Sequence, residues 1–173
     1  MPTIFTFGHS TRSLEETFTI LRAHGVEAVA DVRRYPGSRR YPHFNAESLR
    51  RSLPEGGIEY SPLVDLGGRR TPAKDSPNTG WRNAAFRGYA DYMQSPQFVA
   101  ALTQLERLGR RLPTAVMCAE AVPWRCHRSL IGDALLARGW QVLDIFDPKS
   151  VKPHEMTPFA VVRGKQIVYP QNV

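Results

Sequence analysis

The chain has 173 residues, 42% of them hydrophobic; this suits one domain with a real core and is too apolar for a disordered segment. No apolar run approaches the roughly 18 to 20 residues needed to cross a bilayer, and Met1-Pro2-Thr3-Ile4-Phe5 reads as a strand entering the fold, not as a cleavable leader. The net charge of +7 is concentrated, with ten Arg and one Lys against five acids between Arg33 and Arg87.

In chain order, Thr3 to Phe7 has strand character and Gly8 ends it. Ser13-Leu14-Glu15-Glu16 has the form of a capping box opening a helix through about Ala23, which Gly25 closes. Glu27 to Val32 is a second short strand, so strand, helix and strand suggest a βαβ unit with parallel pairing. Pro36 to Asn45 is a loop rich in Pro, Gly and Arg, followed by a short helix over Ala46 to Leu53 and a third strand at Ile58 to Tyr60. Gly67 to Gly80 has the composition of a long irregular excursion, a kind of segment that often binds. Phe86 to Gln94 reads as helical, and Ser95-Pro96 starts a further helix with Phe98, Val99, Leu102, Leu105 and Leu108 on one buried face. Thr114 to Met117 is apolar after its first residue, as in a strand covered on both sides. Cys126 to Arg138 forms a helix closed by Gly139, Gln141 to Ile145 a fifth strand, and Phe159 to Tyr169 a hairpin turning at Arg163-Gly164-Lys165. The expected fold is a single α/β domain over residues 1–173, with a mainly parallel sheet of about five strands, flanking helices and a C-terminal hairpin.

Two cysteines, Cys118 and Cys126, are too few for a disulfide framework and point to a reducing cytoplasm. Arginine outnumbers lysine 19 to 4, and guanidinium forks suit bidentate contact with phosphate or carboxylate. Polar residues gather where strands end: His9 and Ser10 after the first, Asp31 and Arg33 at the second, and Cys118, Glu120, Arg125, Cys126, His127 and Arg128 after the fourth. Ligands of open α/β sheets bind outside the carboxyl ends of strands, and helix amino termini attract anions. Cys126, expected in the first turn of its helix, should therefore have a lowered thiol pKa.

Several short segments together resemble the domain of unknown function 488 family. They are Gly8-His9-Ser10-Thr11, Asp31-Val32-Arg33 followed by Pro36 and Ser38, Leu66-Gly67-Gly68, Phe86-Arg87-Gly88-Tyr89-Ala90, Cys118-Ala119-Glu120 and Cys126-His127-Arg128. The match runs in order from Thr3 to about Ile145, with an echo at His154 to Pro158. The resemblance implies an α/β fold and a shared polar site, without a general activity. One departure is Asp144, which stands where many relatives place His before the Ile ending the fifth strand, so a role for that His does not carry over.

Each candidate has two readings. Glu120, Cys126, Asp31 and His9 could supply acid, base or nucleophile, while Ser10, Arg33, Arg125, His127 and Arg128 hold an anion. Equally, Asp31 could anchor Arg33 or Arg128 in a structural ion pair, Cys118 could be a small core residue, and Cys126 a helix-cap residue. His24 and His154 read as ordinary surface or loop residues. The phosphatase cradle needs Cys, five residues and Arg; from Cys118 that position is Trp124, and Arg125 comes one later. No Gly-x-Gly-x-x-Gly or Walker-type loop is present. Cys118, Cys126, His127 and His9 could bind zinc chemically, but without the spacing of a known finger, so no metal site is assigned and the cofactor is left open.

Three function classes follow. The first is an enzyme, a hydrolase or transferase, on a phosphorylated or nucleic-acid-related substrate. The second is a nucleic-acid-binding module using Arg39, Arg40, Arg69, Arg70, Arg82 and Arg87 interleaved with Tyr35, Tyr41, Phe44, Trp81 and Phe86. The third is a redox or metal sensor built on the two cysteines. An anionic substrate or nucleic acid is the expected partner and a membrane is not; the sequence leaves the oligomeric state open.

Overall fold

The computed structural model describes residues 2–37 and 39–171, so Ser38 of the family-like segment lies outside the described residues. Six strands form one sheet in the order β3-β2-β4-β1-β5-β6. They are β1 (Thr3–Gly8), β2 (Ala28–Asp31), β3 (Glu59–Pro62), β4 (Thr114–Cys118), β5 (Gln141–Ile145) and β6 (Val151–Pro153). The first five run parallel; β6 pairs antiparallel with β5 and makes the edge. β1 and β2 do not pair with one another as the βαβ reading expected, because β4 lies between them and bonds to both. A second, two-stranded sheet, β7 (Val161–Arg163) with β8 (Gln166–Val168), is the expected C-terminal hairpin, and Gly164 supplies the positive φ of its turn.

The helices are α1 (Leu14–Ala23), α2 (Ala46–Glu55), α3 (Ala84–Tyr92), α4 (Pro96–Arg111) and α5 (Arg128–Ala137). The Ser13/Glu16 capping box forms in full, and Ser95 caps α4 ahead of its first-turn proline. α3 begins two residues before the expected Phe86, because the Asn83 side chain accepts the amides of Ala85 and Phe86. On α4 the apolar stripe is buried except for Val99, which is exposed. The excursion from Gly67 to Gly80 stays irregular and is pinned by the Asp91 carboxylate, which accepts from Ala73 N–H, Ser76 Oγ and Asn78 Nδ2.

Strand alternation divides the core in two. Ala28, Ala30, Val32, Val116, Cys118 and Val142 face the layer of α3, α4 and α5. Val29, Ala115, Met117, Phe7 and Ile145 face α1 and α2. Parity also sets the side on which each strand-end residue is packed. Thr6 and Asp144 share the α5 side with Cys118, whereas Asp31 points with Val29 to the other face.

Candidate functional site

β1 and β4 are neighbours, yet the helices that follow them, α1 and α5, pack on opposite faces of the sheet. The loops after these two strands therefore diverge and leave a crevice at the carboxyl edge, the usual ligand position in open α/β sheets. They are stitched together at its base: His9 N–H donates to Cys118 O at 3.0 Å and Ser10 N–H to Ala119 O at 2.9 Å. A Cβ on Gly8 would lie 1.6 Å from Glu120 O, so only glycine admits this approach.

The crevice opens into a cleft of about 590 Å³, within the range that takes small ligands. His9, Ser10, Arg33, Glu120, Arg125, Cys126 and His127 all line it, together with Cys118. So do Arg40, Arg69 and Tyr35 from the basic middle segment, and Arg34, which the sequence reading did not single out. Five arginines thus face one carboxylate, Glu120. The other basic residues are placed differently. Arg70 lies over the Tyr92 ring at 3.7 Å, Arg87 donates to Trp81 O, and Arg39 and Arg82 are exposed outside the lining.

Asp31 and Arg128 lie behind the cleft and do not line it. Asp31 is fully buried and holds Arg33 through Nε at 2.8 Å and Nη2 at 2.6 Å, while also accepting from Tyr60 OH at 2.6 Å. Its lone pairs are spent on fixing Arg33, which makes it the anchor of that arginine. Arg128 is equally buried, donating to Thr6 Oγ1 at 2.8 Å and to the carbonyls of Glu120 and Ala121 at 3.0 Å. It shapes the Cys118–Cys126 loop from beneath.

Both cleft histidines are held neutral with assignable tautomers. His9 Nδ1 must donate to Ser10 O at 2.9 Å, leaving the Nε2 lone pair 3.4 Å from Arg33 Nη1. Burial, with Arg33 adding to it, lowers its pKa to about 4. His127 Nε2 donates to Val32 O at 2.8 Å, so Nδ1 presents its lone pair to Cys126 Sγ at 3.5 Å. Burial brings this imidazole to about 4 as well.

Cys126 does not open the helix. It ends a short 3-10 turn, Pro123–Arg125, in extended conformation, two residues before α5, although its sulfur still accepts the Arg128 amide at 3.5 Å. Both thiols are buried and unpaired by disulfide. Burial, then the Cys118 sulfur, push the Cys126 thiol well above its ordinary value. Burial acts against Cys118 too, but the hydrogen bond from Cys126 and the Arg128 charge outweigh it and bring that thiol down. The expected order of the two thiols is thus reversed, because the helix terminus is too far along the chain to compensate Cys126 for its burial.

The sequence reading missed a network next to this site. His154 is no ordinary surface residue: it is buried between two carboxylates, with Nε2 2.9 Å from Asp133 and Nδ1 3.2 Å from Asp144. Burial alone would lower its pKa, but the hydrogen bonds and charges of Asp133 and Asp144 raise it to about 9, an imidazolium at neutral pH. Asp144 also accepts from Thr6 Oγ1, and Asp133 from Thr157 Oγ1 and Tyr169 OH. A continuous chain of polar contacts therefore runs from Arg128, under the cleft, to the C-terminal segment. The family-like echo at His154 to Pro158 was the usable signal; the pairing of Thr6 with Asp144 follows only from β1 and β5 being neighbours.

Among the described residues, no three His, Cys, Asp or Glu side chains are grouped so as to hold a metal ion, and no helix is long and apolar enough to cross a membrane. No curated protein and no solved structure matches the chain. The family profile named domain of unknown function DUF488 matches residues 13–135, a span that takes in Asp31, Arg33, Cys118, Glu120, Cys126 and Arg128 and leaves out His9 and His154. With most of its length inside that match, the chain belongs to the DUF488 family.

Proposed function

We propose that the strand-end cleft is an active site for an anionic substrate, phosphorylated or nucleic-acid-related, with hydrolysis or group transfer as the reaction class. One observation carries the reading. A cysteine and a histidine, the latter oriented by the Val32 carbonyl, sit in a cleft where five arginines face a single carboxylate. A nucleophile, its base and the base's orienting group form a recurring arrangement for covalent catalysis by thiols.

In this reading exposed Arg40, Arg69 and Arg125 draw in the substrate, while Arg33, fixed by Asp31, and Ser10 hold its anion beside neutral His9. His127 Nδ1 takes the Cys126 proton as the sulfur attacks the electrophilic phosphorus. The new S–P bond forms as the bond to the leaving oxygen breaks, and His127 passes its proton to that oxygen. Water or an acceptor hydroxyl then gives its proton to Glu120 and displaces the sulfur, which recovers a proton from Glu120. The thiol that burial keeps neutral at rest is thereby ionised only during attack. Turnover of a panel of phosphate mono- and diesters, compared with Cys126→Ser and Glu120→Gln, tests this. Turnover that survives both substitutions refutes the assignment.

A second reading, a nucleic-acid-binding module without turnover, draws support from the same raised Cys126 thiol. Under it, loss of function spreads over Arg40, Arg69 and Arg125 and spares Cys126. Two unpaired thiols suit a reducing compartment, and both readings take that compartment to be the cytoplasm.

A further inference from the structure

Among the described residues, two exposed aromatic side chains stand out, Tyr35 at 60% and Trp124 at 64% exposure. Tyr35 lines the cleft, and Trp124 stands next to a residue that does. Tyr35 lies between Arg34 and Arg69, whose guanidinium carbons lie 5.4 and 5.5 Å from its ring centre. Trp124 directly precedes Arg125, which lines the cleft from the loop after β4. Burial, ring packing or hydrogen bonding accounts for Trp81, Trp140, Tyr89 and Tyr169; Trp124 stays 64% exposed although its ring centre lies 6.4 Å from that of Phe146. A large aromatic left in water beside an arginine is what a stacking platform for bases requires, with the cation on the adjoining phosphate. A second concavity, of about 480 Å³, adjoins the first, shares Arg34 and Arg69 with it, and continues past Arg70 to Tyr92; its one carboxylate, Asp91, is engaged by Ala73, Ser76 and Asn78. The charged track is therefore longer than a single phosphate needs.

Resting on the reading of the cleft as an anion site, we infer that its ligand is single-stranded nucleic acid. Bases stack on Tyr35 and Trp124 at the rim of the cleft. Flanking phosphates sit on Arg34, Arg69 and Arg125, and the strand leaves along the shared arginines toward Arg70. A duplex, with its bases paired and stacked inside, offers no free face to either ring.

Fluorescence anisotropy on the full chain with labelled single-stranded RNA and DNA twelve-mers, the matching duplexes and inorganic polyphosphate tests the inference. The single strands should bind more tightly than duplex or polyphosphate. Tyr35→Ala and Trp124→Ala should each weaken them about 5- to 100-fold, Tyr35→Phe should retain binding, and polyphosphate should bind all variants alike. Binding should also quench tryptophan emission in the wild type and much less in Trp124→Phe. If polyphosphate or duplex binds as well as the single strand, or the alanine variants bind single strands normally, the stacking inference is overturned while the anion cleft stands. If neither nucleic acid nor polyphosphate binds at low salt, both fall. The preference between RNA and DNA identifies which strand the site accepts.

Discussion

The His154 clamp makes stability depend on pH in a direction the structure dictates. Its folded-state pKa, about 9, exceeds the ordinary value of 6.5, so the folded protein binds the proton more tightly. The stabilisation is therefore complete below about pH 6.5 and is lost as pH rises toward 9. At 1.36 kcal/mol per pKa unit, the difference amounts to at most about 3 kcal/mol, roughly half of it gone by about pH 7.7. His154→Gln keeps a hydrogen-bonding side chain but removes the charge, leaving Asp133 and Asp144 buried without their cation. Urea unfolding at closely spaced pH values should find the variant about 3 kcal/mol less stable than wild type at pH 6. That gap should shrink to well under 1 kcal/mol near pH 9. Because only the difference between the two proteins is read, other groups titrating in the same window cancel. A gap constant from pH 6 to pH 9 would show that the imidazole packs there without gaining a proton, and would refute the clamp.

Gly8→Ala should destabilise the fold by about 2 kcal/mol or more in urea, because its methyl would collide with the Glu120 carbonyl and part the two loops. Asp31→Asn should cost about 3 kcal/mol in the same assay, since it leaves the buried Arg33 charge without a counter-ion. Thiol titration by ultraviolet absorbance should place the first thiolate on Cys118, and Cys118→Ser should lower the Cys126 pKa by removing the charge that raises it; ionisation of Cys126 first would contradict this. With five arginines lining the cleft, single-strand affinity should fall about 100-fold between 50 and 200 mM salt. A drop of only a few-fold would mean that most of those arginines do not touch phosphate.

Local chemistry carried most of the fold. The capping box at Ser13, the Ser95-Pro96 start, the turn at Gly164 and the apolar run at Thr114 to Met117 each announce an element within a few residues of where it forms. Strand order had no such signal. Placing β4 between β1 and β2 is a long-range choice, made by which hydrophobic faces cover one another, and no pair of neighbouring residues records it. The edge strand β6 went unread for a related reason: Val151 to Pro153 is three exposed residues with a proline, tolerable only at an edge.

The candidate site divides along the same line. His9, Ser10, Arg33, Glu120, Arg125, Cys126 and His127 were legible because parallel strands deliver all their carboxyl ends to one edge, whatever the strand order. What that argument could not supply was depth. Asp31 and Arg128 reach the same edge but lie beneath the cleft, Asp31 because its carboxylate is buried on Arg33 and Tyr60, and Arg128 because its guanidinium runs under the Glu120 and Ala121 carbonyls. Depth also reverses the thiols: proximity to a helix start argues for an acidic Cys126, yet burial at the end of a 3-10 turn outweighs it. His154 is the extreme case, since its two carboxylates come from a helix and a strand ten and more residues away. Through Asp144, Thr6 and Arg128 that imidazolium bears on the carbonyls of Glu120 and Ala121. Losing its proton should therefore loosen the floor of the cleft as well as the C-terminal segment. If oligonucleotide affinity in wild type weakens from pH 6.5 to pH 9 more than it does in His154→Gln, the network couples the two; parallel profiles would confine His154 to stability alone.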